Sequence, residues 1–167
     1  MARPGWLNLD CFAAPGVDLV ADLRAGLPLA SASIAYAVAM HVLQDLAYLE
    51  LGPALRELRR VLTPGGTLRA GVPDLERGMR AFLRDDPAYF HVPDDEVRSA
   101  GAKLVVQAIW YGSVRTPFTW DFAREMCEKA GFRSIHRTAF GRTVSRQTGI
   151  TALDNRERET LFFEAVA

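Results

Sequence analysis

The chain has 167 residues, 49% of them hydrophobic and 24% charged, with a formal net charge of zero. That profile reads as one soluble globular domain with a sizeable core, and it excludes a general electrostatic attraction to nucleic acid or to an anionic membrane. No apolar run approaches the ~20 residues of a membrane span, the first ten residues hold no signal-peptide apolar region, and Cys11 and Cys127 read as buried free thiols in a reducing cytoplasm, with one disulfide between them as the alternative.

Trp6–Asp10 alternates and reads as a strand ending at Asp10. A turn at 13–16 leads to a second extended piece, Val17–Leu23, with Asp22 near its end. After a loop of small residues, Ile34–Leu43 (IAYAVAMHVL) is a continuous apolar run, which suits a strand buried on both faces, although periodicity alone also admits a helix. Leu51, Leu55, Leu58 and Leu62 then fall on one helical face. Pro64 and Gly65-Gly66 end that helix in a turn. Thr67–Val72 alternates as a strand, with Leu68, Ala70 and Val72 on one face and Thr67, Arg69 and Gly71 on the other.

Beyond Leu75 the pattern predicts a helix through Met79, Phe82 and Leu83, stopped by Asp85-Asp86-Pro87. A second helix is expected over Val97–Trp110, with Leu104, Val105, Ala108 and Ile109 on its buried side. Thr119 is a candidate N-cap for a helix over Asp121–Ala130, and Gly131 suits the position after its end. Arg133–Phe140 and Thr160–Ala167 read as strands that pair with each other, with a polar loop over 141–159 between them. Arg133, Arg137, Arg142, Arg146 and His136 read as a solvated edge. No two of His41, His91, His136, Cys11 and Cys127 lie at ligand spacing, so no metal site is expected.

Taken together, PGWLNLD (Pro4–Asp10), PGVDLVADLRAGLP (Pro15–Pro28), HVL (His41–Leu43), ALRELRRVLTPGGTLRAGVPDL (Ala54–Leu75), FTWDFAREMCEKAGFRSI (Phe118–Ile135) and the closing TLFFEAVA resemble the class I S-adenosylmethionine-dependent methyltransferases, in the family's order. The resemblance implies a Rossmann-like α/β fold over residues 1–167, its sheet mostly parallel with one antiparallel strand. It further implies a helical insert or lid over 76–117 and S-adenosylmethionine at the carboxyl ends of the strands. Asp10 then matches the acid that accepts hydrogen bonds from the ribose hydroxyls, and Asp22 with Leu23 matches the adenine contact. Met40 and His41 match the loop that faces the methionine portion. Trp110, Tyr111 and Phe118 become candidate substrate contacts, and His41 a weak candidate base.

Three departures stand out. The glycine-rich turn that normally precedes the PGW segment is absent, so the fold reads as lacking the family's opening strand at its N-terminus; in a rival register, WLNLDC is itself that first strand. Ala35 stands where an Asp commonly begins the fourth strand, and Gln44-Asp45 replaces a Glu-His pair, which removes polar chemistry near the cofactor. An unpaired sheet edge implies a rearranged sheet or a homodimer. The expected function is S-adenosylmethionine-dependent methyl transfer to a small-molecule acceptor, in the cytoplasm. The alternative is a catalytically degenerate binding or scaffold protein.

Overall fold

The computed structural model describes residues 5–167, so Pro4 of the PGW segment and the start of the N-terminal stretch read above lie outside the described residues. The chain begins with two short strands, β1 (Leu9–Asp10) and β2 (Leu19–Val20), which pair in parallel as a sheet of their own. A four-stranded sheet follows, built from β3 (Ile34–Met40), β4 (Leu62–Pro73), β5 (Arg133–Thr138) and β6 (Thr160–Val166) in the order β3-β4-β6-β5. β3 and β4 are parallel, and β6 is antiparallel to both its neighbours. The helices are α1 (Tyr48–Val61), α2 (Leu75–Leu83), α3 (Ala100–Ile109) and α4 (Trp120–Lys129).

α1 forms as its periodicity predicts. Leu51, Leu55 and Leu58 are buried with Leu62 against Leu68, Ala70 and Val72 of β4. Its first turn is closed by Glu50, whose carboxylate accepts from the Ala47 N–H at 2.7 Å, where a negative charge suits the helix dipole. The Pro-Gly-Gly turn is absorbed into β4 as an irregularity. Ile34 pairs with Leu62 but Tyr36 already pairs with Thr67, so the intervening residues of β4 are thrown out of register. Gly65 takes φ +79° there and donates its N–H to the Ala167 carbonyl at 3.1 Å. α4 is capped as expected, Thr119 accepting from the Phe122 N–H at 3.3 Å, and Gly131 follows with φ +91°.

Three expectations need correction. β3 is an edge strand and only half-buried, because nothing among the described residues pairs with its outer side. The face of β4 that carries Thr67, Arg69 and Gly71, like the opposite one, is buried. Residues 139–154 fold over it, and the Arg69 guanidinium reaches Asp154 at 2.5 Å, Glu164 at 2.6 Å and the Arg142 carbonyl at 2.9 Å. In α2 and α3 the helices are right but the faces differ. Met79, Phe82, Leu83, Val105 and Ile109 are exposed, because the two helices pack on each other through small residues around Ala81 and Ala100, with Phe90 between them. Of the two thiols, both free, Cys127 is buried and burial pushes it up to about 12, whereas Cys11 is exposed.

Candidate functional site

The carboxyl end of β3 is built around His41. Its backbone takes φ +55°, a left-handed conformation costly for a side chain with a Cβ, and its N–H donates to the Gly71 carbonyl at 2.8 Å. Gly71 allows this approach. A Cβ there would lie 2.7 Å from the Met40 sulfur and 3.0 Å from Thr160 Cγ2. His41 Nε2 lies 3.1 Å from Thr160 Oγ1. That hydroxyl has one proton, and it donates it to the Arg156 carbonyl at 2.8 Å. Thr160 can then only accept from His41, so the proton of the neutral ring sits on Nε2 and the lone pair on Nδ1. Burial, aided by the Arg156 charge, lowers the ring to about 4 and keeps it neutral.

Nδ1 is buried and has no partner among the described residues. A second atom shares that condition. The short 3-10 turn Leu43–Asp45 buries Gln44, whose amide N–H donates to Asp45 at 3.1 Å and whose Oε1 is left unpaired. Two buried acceptors without donors are an unmet cost at one spot. Both residues line a cavity of about 200 Å³, closed by Pro73 on one side and by Gln107, Trp110, Arg156 and Glu159 on the others. A smaller apolar crevice, lined by Gly78, Phe90 and Phe118, opens next to it and shares Gln44 and Glu159.

Of the residues expected from sequence, His41 and Trp110 meet in this cavity. Phe118 is fully buried and packs edge-on against Phe122, its ring bordering the crevice rather than the cavity. Tyr111 is exposed, stacks edge-on against Trp110, and bonds outward to Glu96, which raises its hydroxyl. Trp110 and Tyr111 both carry positive φ. Asp10 ends β1 and Asp22 lies two residues beyond the end of β2; desolvation, then Asp10 and Asp22, raise the Cys11 thiol. Asp10 is exposed and accepts from the Phe12 N–H at 3.0 Å. The Arg24 side chain grips Asp22 at 2.6 Å and holds its carboxyl below the usual range, while Leu23 packs on the core.

A chain of ions joins the two regions. Arg24 reaches Glu50 at 3.8 Å, Glu50 reaches Arg115 at 3.1 Å, and the Arg115 N–H donates to the Gln44 carbonyl at 2.8 Å. The end of β2 therefore lies on the same side of the molecule as the His41 cavity. Gln107, Arg156 and Glu159 were not singled out from sequence, and Gln44, three residues after His41, was read there only as a loss of polar chemistry. Among the described residues no group of three His, Cys, Asp or Glu is placed to hold a metal, and no helix is long and apolar enough to cross a membrane.

The sequence matches the family model described as a methyltransferase domain over residues 9–70. The match covers well under half of the chain and marks those residues as similar to a methyltransferase domain. Solved structures share the fold. An S-adenosylmethionine-dependent methyltransferase from Mesorhizobium loti superposes with a TM-score of 0.54 at 18% identity, over 96% of this chain and 80% of that one. One from Archaeoglobus fulgidus gives 0.56 at 9%, over 91% and 68%. One from Thermotoga maritima, described as a possible histamine N-methyltransferase, gives 0.53 at 18%, over 90% of this chain. The chain spans 64% of the length of that Thermotoga protein. A search of curated proteins finds no match.

S-adenosylmethionine is the cofactor that the resemblance in sequence implies, and the acceptors here suit it in kind. Two carboxylates at adjacent strand ends suit hydroxyl and amine donors, and the unpaired acceptors of His41 and Gln44 lie at the end of the next strand.

Proposed function

We propose that the chain transfers a methyl group from S-adenosylmethionine to a small-molecule acceptor seated in the His41 cavity. The reading is carried by the cavity that His41 and Gln44 line at the carboxyl end of β3. In this reading Asp10 takes the ribose hydroxyls, Asp22 and Leu23 take the adenine, and Met40 and His41 border the methionine portion. Residues 76–117 form a lid whose rim is Trp110 and Tyr111, with Phe118 beneath. When bound, S-adenosylmethionine supplies a methyl group activated by a sulfonium centre. The residues have little covalent chemistry left to do: they align donor and nucleophile and keep water out. His41 contributes a fixed lone pair that orients an acceptor proton.

Calorimetric titration with S-adenosylhomocysteine tests the reading. Saturable heat and a thermal upshift are expected, with Asp10→Asn weakening binding about tenfold through loss of a charge-assisted hydrogen bond. Silence at millimolar ligand would leave the binding or scaffold role in its place.

The reading extends to a cytoplasmic homodimer. β3 is uncharged along IAYAVAM and its outer edge is open, so the same strand of a second copy can pair with it antiparallel. Light scattering should then give twice the 18.4 kDa chain mass; a monomer at micromolar concentration would remove the dimer.

A further inference from the structure

The turn that brings Arg156 to the cavity is held from outside itself. Arg156 takes φ +51°, a left-handed conformation that a residue with a Cβ keeps only where its surroundings fix it. Its carbonyl accepts from the Glu159 N–H at 3.1 Å and from the Thr160 hydroxyl at 2.8 Å. The next three carbonyls all go to the start of α2. Arg77 Nη1 donates to the Glu157 carbonyl at 2.8 Å and to the Arg158 carbonyl at 3.0 Å, and the Asp74 N–H donates to the Glu159 carbonyl at 2.8 Å. Asp74 caps α2 by accepting from the Arg77 N–H at 3.2 Å, and its Oδ2 lies 3.3 Å from Arg77 Nε.

We propose that Arg77 is a positioning residue for the cavity: its guanidinium, aimed by Asp74, fixes the turn 156–159 so that Arg156 stays on the cavity wall and the Thr160 hydroxyl stays on His41. Arg77 itself lines neither the cavity nor the crevice, so it acts through the turn. A guanidinium suits this work because its donors form a rigid fork. The two hydrogens of Nη1 take one carbonyl each while the Nε edge faces the carboxylate, which places both carbonyls relative to the helix cap. Water could satisfy the same carbonyls but would not fix where they point. From the turn the constraint passes through the Arg156 carbonyl to Thr160, and from Thr160 Oγ1 to His41 Nε2 at 3.1 Å. The insert that begins with α2 is thereby tied to the histidine at the end of β3.

A second arginine of the same region does a different job. The Arg158 side chain donates to the Ala88 carbonyl at 2.6 Å and lies over the Tyr89 ring at 5.2 Å. It holds a later turn of the insert, whereas Arg77 holds the turn 156–159. Removing Arg77 strands no buried charge, because Asp74 keeps Arg137 at 3.1 Å. Only the purpose of the cavity rests on the methyl-transfer reading.

The test follows the His41 ring nitrogens by NMR in the whole chain, without cofactor and near neutral pH, where the ring is uncharged. Wild type should show one tautomer, with the proton on Nε2. Arg77→Met and Thr160→Val should each lower the tautomer ratio about fivefold, the usual effect of one lost hydrogen bond, and the double variant should go no further than Thr160→Val alone. Arg77→Lys keeps the charge without the fork and should fall between wild type and Arg77→Met. Arg158→Ala should leave the ring unmoved. Unchanged ring nitrogens in both Arg77 variants overturn the inference, as does an equal change in Arg158→Ala, or no change in Thr160→Val. If Arg77→Met fails to fold, Arg77→Lys against Arg158→Ala decides alone. A silent S-adenosylhomocysteine titration would remove methyl transfer and leave the role of Arg77 standing.

Discussion

Arg69→Met is expected to cost about 3–5 kcal/mol of unfolding free energy, the range for removing one partner from a buried ion pair. Arg69, Asp154 and Glu164 are almost completely inaccessible to solvent. The guanidinium is held by both carboxylates, by the Arg142 and Ala139 carbonyls, and lies over the Phe162 ring at 5.5 Å. Removing it leaves two acids facing each other without a counter-charge in a medium where neither can be hydrated. Adding Asp154→Asn and Glu164→Gln to Arg69→Met should recover most of the loss. Each amide oxygen still accepts the backbone N–H that its carboxylate now holds, Gly141 for Asp154 and Val144 for Glu164. Denaturant unfolding of the three proteins decides it. A loss under about 1 kcal/mol in the single variant would mean that the network behaves as a surface pair.

The same network bears on the site. Asp154 immediately precedes the segment in which the Arg156 carbonyl fixes the Thr160 hydroxyl, and Thr160 fixes the tautomer of His41. Loosening Asp154 from the sheet frees that chain of hydrogen bonds at its far end. Arg69→Met should therefore broaden or shift the His41 ring nitrogens although no contact joins the two residues.

None of this was visible in the sequence at Arg69. Alternation placed it opposite Leu68 and Ala70, which is correct, but what covers that face comes from 85 and 95 residues further along. A period of two reports which residues share a side of a strand, not whether that side meets water. The helix α1 and the strand β4 were legible because their partners are local: Leu51, Leu55 and Leu58 fold back on the strand that follows directly. Met79 and Val105 failed for the opposite reason. Their helices form a small packing unit of their own, in which Gly78 and Ala81 allow close approach and the large residues face outward. At the site, His41 was legible as a strand-end histidine. Gln44 was misjudged as a loss of polar chemistry; folded into a 3-10 turn, it becomes the second unpaired acceptor. Arg156 and Glu159 reach the cavity only through the fold over the sheet, and no spacing in the sequence anticipates that.

Acid should weaken the folded chain through His41 before it reaches any of the carboxylates that salt bridges hold low. The ring titrates at 6.5 when unfolded and at about 4 when folded, so the unfolded chain binds the extra proton first. Stability contributed by the neutral ring is fully present above 6.5, declines as pH falls below that value, and is spent once pH passes about 4. Taken whole, such a shift corresponds to about 3 kcal/mol, and solvent reaching the partly buried ring brings the loss to about 1–2 kcal/mol. Asp22 and Glu57, which Arg24 and Arg60 hold below their ordinary 3.8 and 4.5, lose their contribution only at lower pH. Asp45, which burial raises above its ordinary 3.8, titrates toward the interval from 6.5 to about 4 with the opposite sign and is common to both proteins compared next. His41→Asn is the control, since Asn tolerates the left-handed backbone at this position and does not titrate. Unfolding free energies measured across this interval should fall in the wild type and stay nearly level in His41→Asn. Parallel curves would show that the ring is already hydrated and able to charge, and an imidazolium has no lone pair to offer the cavity.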